Sequence, residues 1–279
     1  MKQKIAFIGA GSMTEALISG ILKKGFVAPE NIYVTNKGNQ ERLARIEKTY
    51  HVQCHRDKKP TIKDAAAIIL SVKPKDIEEA LDSIKPYIQP NQLIISVVAG
   101  ISTDFISQVM MRPVPIIRAM PNTSAAIGRS ATAIASGRHA TSEDLEWVKE
   151  LFQTIGTVVV VPENDLHAVT GLSGSGPAYI YYLVESMEKA AKDVGLNEDT
   201  ARELVVQTLV GTAEMLKSSN VDASELRRKV TSPGGTTQAG LEVLQRFRYQ
   251  EALIACIRRA TERSVELGEA FEGKENPVT

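Results

Sequence analysis

Cysteine is scarce in this chain: 279 residues hold two, Cys54 and Cys256. They have neither metal-ligand spacing nor the partners of a disulfide framework, which suits a reducing compartment and argues against a structural metal. Net charge is missing too. Lys plus Arg and Asp plus Glu number 33 each, so the balance asks for neither nucleic acid nor an anionic membrane surface as partner. No apolar run reaches the ~18 residues of a membrane span, and the first residues read as a strand instead of a cleavable leader. A cytoplasmic protein of two domains, or one large one, is the expectation, with length enough to bury a sizeable core.

What is present starts at once. Lys4-Ile5-Ala6-Phe7-Ile8 is a short apolar run that reads as a buried strand, Gly9-Ala10-Gly11 as a tight turn, and Ser12-Met13-Thr14 onward as a helix. Such a turn brings bare backbone amides to the positive end of a helix, where a pyrophosphate sits. Gly9 permits the turn, and Gly11 lets a phosphate approach without a Cβ in the way. The third small residue of the dinucleotide fingerprint is lacking, because Thr14 stands there. A tight turn that binds nothing is the alternative.

Strands and helices alternate through residue 162. Further strands are expected at 32–35, 67–72, 93–98, 114–118, 130–135 and 157–161, with helices such as 76–84 and 142–152 between them. The early strands are unbroken apolar runs, as in a parallel sheet covered on both faces, so residues 1–162 read as a doubly wound α/β domain. The second strand lacks the terminal carboxylate that would read the ribose hydroxyls of NAD. It ends in Asn36-Lys37, which favours a 2′-phosphate and hence NADPH, with NADH possible; a solvated surface lysine is the other reading of Lys37. Ser71-Val72-Lys73-Pro74 and Ala99-Gly100 leave the sheet at the edge where such folds bind ligands. Lys73 suits a phosphate or ribose, or simply solvent, and Ala99-Gly100 leaves room for a ring. Arg118-Ala119-Met120-Pro121-Asn122-Thr123 makes a polar turn at the same edge.

From 163 to 279 the strand pattern is absent and long helices are expected. The helix that Asn197 can cap carries Leu204-Val205-Val206, Leu209-Val210 and Met215-Leu216, apolar on more than one face. So few residues of helix do not enclose it alone, which predicts a partner subunit. A last helix is expected over 249–267, with Leu253, Ile254, Cys256 and Ile257 inside, and a polar tail from Glu272. Two glycine-rich loops open helices here: Gly171-Leu172-Ser173-Gly174-Ser175-Gly176-Pro177, and Thr231-Ser232-Pro233-Gly234-Gly235-Thr236-Thr237 before a helix at 238–247. Both suit anion binding through backbone amides, and both suit an ordinary helix start.

Gly-x-Gly-x-Met, Ser71-Val72-Lys73-Pro74, Met120-Pro121-Asn122-Thr123, Ser173-Gly174-Ser175-Gly176-Pro177-Ala178-Tyr179 and Ser232-Pro233-Gly234-Gly235-Thr236-Thr237 occur in that order. Together they resemble the pyrroline-5-carboxylate reductases over nearly the whole chain. Thr14 departs from the family's Gly or Ala and would set a hydroxyl beside a phosphate. The resemblance implies an N-terminal Rossmann-type domain followed by an all-helical dimerisation and substrate domain, with an active site shared between subunits in a dimer or a multimer of dimers. It implies that NADPH lies along Gly9, Gly11, Ser12, Met13, the Asn36-Lys37 turn, residues 71–74, Ala99, Gly100 and Asn122. Ser232, Gly234, Gly235 and Thr236 would offer amides to the carboxylate of a cyclic imine, Ser175 would line the same pocket, and Thr237 would place its hydroxyl on the ring nitrogen. The reaction implied is reduction of pyrroline-5-carboxylate to proline. A hydroxyacid dehydrogenase of similar build would need a general base. The helix opening at Pro177 has no lysine before Lys189, roughly 18 Å along its axis. His167 is the one candidate base, and a structural histidine is its alternative.

Overall fold

The computed structural model describes residues 4–272. Its strands are β1 (Ile5–Ile8), β2 (Ile32–Thr35), β3 (Gln53–Cys54), β4 (Ala67–Leu70), β5 (Leu93–Ser96), β6 (Ile116–Met120), β7 (Ser130–Ser136) and β8 (Gly156–Val160). They form one sheet in the order β3-β2-β1-β4-β5-β6-β7-β8. Alternate side chains of a strand face opposite ways, and both faces are covered. Ile5 and Phe7 of β1 join one core with α1 (Ser12–Lys23), α2 (Gln40–Tyr50) and, later in the chain, residues 148–152. Ala6 and Ile8 join the other with α3 (Lys58–Ile62), α4 (Ile77–Ile84) and α5 (Thr103–Met110). Burial on both sides is the reason these strands read as continuous apolar runs.

All neighbouring strands are parallel except β6 and β7. Only the short link 121–129 joins that pair. A parallel return needs a crossover of a dozen residues or more, so the chain turns back beside β6. After α6 (Ser142–Gln153), β8 pairs with β7 in parallel. Two differences from the sequence reading follow from local chemistry. β3 is too short to show a period of two. β6 begins at Ile116 instead of 114 because Pro115 has no amide to donate, although its carbonyl accepts from Ile94 at 2.9 Å.

The helical region holds α7 (Leu166–Val169), a wide π-helical turn at Thr170–Gly174, α8 (Gly176–Asp193), α9 (Glu198–Ser218), α10 (Ala223–Lys229), α11 (Thr236–Arg246) and α12 (Tyr249–Glu272). By compactness, the residues through Ser175 group with those from Arg258 onward, and Gly176–Ile257 form a second unit. In the first unit the end of α12 lies on the sheet domain. Phe271 meets the Phe105 ring edge-on at 6.0 Å, and a Cβ on Gly268 would stand 2.7 Å from the carbonyl oxygen of Gly100.

In the second unit α8 packs against α9. Asn197 caps α9 as expected, its Oδ1 accepting from the Thr200 amide at 2.8 Å. Of that 21-residue helix only Ala201 and Val205 are buried, while Leu204, Val206, Val210, Met215 and Leu216 are exposed. The apolar residues expected on the inside of α12, Leu253, Ile254 and Cys256, are exposed in the single chain, and among the described residues nothing covers that face. The polar tail after Glu272 lies outside the described residues. Among the described residues no helix is long and apolar enough to cross a membrane.

Candidate active site

β1 and β4 lie side by side and their connections leave to opposite flanks, which opens a crevice at their carboxyl ends. A cleft of about 590 Å³ lies there. Gly9, Gly11, Ser12, Asn36, Lys37, Ser71, Val72 and Lys73 all line it, together with Arg42, Lys58, Lys75, Asp76 and Glu79.

The glycines of the turn have separate duties. Gly9 has φ of +114°, and a Cβ there would lie 2.2 Å from the Ser71 carbonyl oxygen. A side chain at Gly9 would therefore push β1 and β4 apart. At Gly11 a Cβ would meet no atom within 4 Å, so its bareness leaves room for something outside the chain. Gly11 is the N-cap of α1 and supplies no capping side chain. The first amides of α1 therefore remain open at the positive end of the helix.

Thr14 does not meet a phosphate. It is fully buried, and its hydroxyl donates to the Gly9 carbonyl at 2.9 Å. Met13 packs against the hydrophobic core and does not line the cleft. Pro74 opens a 3₁₀ turn behind the wall. Gly100 does not leave room for a ring: with φ of +80°, its open side faces Leu267 and Gly268 of α12. Ala99 is half-buried beside it and is no part of the cleft lining. Asn122 is 9% exposed, and its side-chain amide is engaged by protein partners: Nδ2 donates to the Ser173 carbonyl at 3.1 Å, and Oδ1 accepts from the Ser124 amide at 3.1 Å.

The loop after β2 is shaped by Asn36. Its Oδ1 accepts from the amides of Gly38 and Asn39, each at 3.0 Å. That turn presents Lys37 to Glu79, an exposed ion pair of two cleft residues. The hydrogen bond to the Glu79 carboxylate lifts the Lys37 ammonium above its ordinary pKa. Arg42 was not legible in the sequence. It donates from Nε to the Ala10 carbonyl at 2.7 Å and pairs with Glu15, so it braces the glycine turn from α2. Five cations against two carboxylates give the cleft a positive field.

The two glycine-rich loops of the helical region differ from expectation in detail. The Ser175 amide donates to the Thr170 carbonyl at 2.8 Å, closing the π-turn. The Gly235 amide donates to the Ser232 carbonyl at 3.0 Å, and that of Gly234 to Gln238 Oε1 at 2.8 Å. Those two expected anion donors are therefore engaged within the loop. α11 starts two residues earlier than expected, which puts Thr236 and Thr237 in its first turn, where amides have no helical partner. The loop's Gly234 has φ of +71°, a conformation favouring glycine. Thr237 is exposed, and its hydroxyl has no partner among the described residues. His167 Nδ1 is 3.0 Å from Oγ of the buried Ser264, a contact that suits the structural reading.

Residues 163–267 match the family model described as pyrroline-5-carboxylate reductase dimerisation, and residues 4–100 match that of NADP oxidoreductase, coenzyme F420-dependent. The chain is 48% identical to pyrroline-5-carboxylate reductase 2 of Bacillus subtilis, over 97% of each chain. It is 45% identical to pyrroline-5-carboxylate reductase 1 of Bacillus spizizenii, over 100% of this chain and 94% of the relative. The solved Plasmodium falciparum pyrroline carboxylate reductase with NADP bound superposes with a TM-score of 0.88 at 28% identity, covering 96% of this chain and 99% of that one. With the sheet crevice, both glycine-rich helix starts and identity of this extent along the whole chain, the protein belongs to the pyrroline-5-carboxylate reductase family.

Proposed function

We propose that this chain reduces L-1-pyrroline-5-carboxylate to L-proline with NADPH, the closing step of proline biosynthesis, and that it works in the cytoplasm as a homodimer or a multimer of dimers. The observation that carries this reading is the pair of helix starts whose cap residue is a glycine, Gly11 and Gly235. Side chains of Asn39, Ser102, Thr141 and Asn197 cap α2, α5, α6 and α9, and α4, α7 and α10 begin behind aspartates that make no cap bond but carry a carboxylate there. No side chain caps α1, behind Gly11, or α11, behind Gly235. Leaving those amides open is of use where an anion takes the cap's place.

NADPH fits the cleft of the first unit: the open amides of α1 receive its pyrophosphate, and Lys37, Arg42 and Lys73 surround its phosphates and ribose. The absence of a carboxylate on the Asn36-Lys37 turn favours the 2′-phosphate, and NADH is the weaker substitute. When bound, the nicotinamide supplies the hydride. The rest is positioning by this chain. The amides of Thr236 and Thr237 hold the substrate carboxylate, with the loop glycines shaping the approach and Ser232 and Ser175 lining the pocket. The Thr237 hydroxyl holds the ring nitrogen, which is basic enough to arrive protonated, so no strong acid is required. Fixing two reactants in near-attack geometry supplies about 7–11 kcal/mol. Functionally the chain divides into a dinucleotide domain, 1–162, and a dimerisation and substrate domain, 163–279.

A steady-state assay with pyrroline-5-carboxylate and each nicotinamide cofactor tests this. Turnover with NADPH above NADH is expected. Activity on 2- or 3-hydroxyacids with none on the imine would replace the reading with a dehydrogenase.

A further inference from the structure

We infer that Asn122 is a positioning residue, which seats the glycine-rich turn at 170–175 on the end of β6 and does not itself hold cofactor. This rests on the proposed reading that the Ser175 loop lines the substrate pocket. A chain of buried groups leads to the contact. Thr132 and Ser130, 2% and 1% exposed, share a hydrogen bond of 2.9 Å. Ser130 Oγ accepts from the Asn122 amide at 3.1 Å. Asn122 Oδ1 caps the next turn through Ser124, which turns Nδ2 toward the Ser173 carbonyl, 3.1 Å off and 51 residues along the chain.

The receiving segment is built for such a tether. A π-turn carries one residue more than an α-turn and is a rare, single-turn departure from the α-helical register. Ser173 is within that turn. Beside it, Gly174 lies so close to Met120 that a Cβ would stand 2.7 Å from the Met120 methyl. Met120 and Asn122 thus grip adjacent residues of one turn, the first by contact and the second by a directed bond. A turn held at two points presents Ser175 in one orientation, whereas a π-turn on its own has easy alternatives in the α-helical register.

Asn122→Asp keeps the size and the acceptor for Ser124, but sets a carboxylate oxygen against the Ser173 carbonyl. Asn122→Ser keeps a short acceptor and cannot reach Ser173, which separates loss of the bond from added charge. In both variants amide hydrogen exchange over 170–176 should quicken. The kcat/KM for the imine should fall about tenfold or more, while the Kd for NADPH stays within about twofold, a fold-change worth ~1.4 kcal/mol or more at the first and little at the second. Unchanged exchange would overturn the tether. An NADPH Kd that weakens in step with kcat/KM would overturn the assignment and return Asn122 to the cofactor site. A parent enzyme that reduces no imine would remove the proposed function, while exchange would still decide the tether.

Discussion

Thr14 donates its hydroxyl to the carbonyl of Gly9 at 2.9 Å, from a fully buried position in the first turn of α1. The residue that breaks the dinucleotide fingerprint thereby ties the helix back onto the turn it leaves. Its Oγ points at backbone and not at the cleft.

Thr14→Ala should therefore lower stability by about 1–3 kcal/mol, the cost of a buried carbonyl left without its donor, and leave the NADPH Kd within about twofold. Denaturant unfolding and a binding titration measure the two. Weaker binding with unchanged stability would put the hydroxyl on a phosphate after all.

Lys37 faces Glu79 in the exposed ion pair at the cleft rim. If it reads the 2′-phosphate, Lys37→Ala should weaken NADPH several-fold and leave NADH nearly unchanged, and the effect should shrink in high salt because the group is solvated. Equal losses for both cofactors would show that the 2′-phosphate is read elsewhere.

The uncovered face of α9 predicts obligate association. Obligate interfaces commonly bury more than ~2,000 Å² and resemble a core cut in half. Replacing Leu204 and Val210, both exposed in the single chain, with glutamate should shift sedimentation toward monomer and lower the melting temperature. A parent that is a stable, active monomer at nanomolar concentration would contradict the expectation.

Thr237 lies in the first turn of α11, and no hydrogen bond of its hydroxyl caps that helix. Thr237→Ala should cut turnover roughly 10- to 150-fold, the loss of one bond to a charged centre worth about 1.5–3 kcal/mol. Stability should barely move, and Thr237→Ser should be far milder. A variant that melts lower yet turns over at the parental rate would make Thr237 structural.

Much of this protein follows from local pattern. Apolar runs with β-branched residues, punctuated by Gly and Pro, mark strands and turns because periodicity and backbone freedom act over a few residues. Gly9, Gly11, Asn36, Lys37 and residues 71–73 were legible for that reason: a parallel sheet brings the ends of its strands to one edge. The capped start of α9 and its excess of apolar surface are equally local.

Tertiary structure decided where the side chains are spent. Sequence spacing placed Gly100 and Asn122 at the ligand edge, and only packing shows Gly100 facing α12 and Asn122 facing Ser173. The same holds for Arg42, a lone cation in sequence, which reaches the Ala10 carbonyl across 32 residues. A glycine is free on its own, and an amide is a donor anywhere. Which backbone approaches it, and from how far along the chain, depends on contacts between elements that no local pattern encodes.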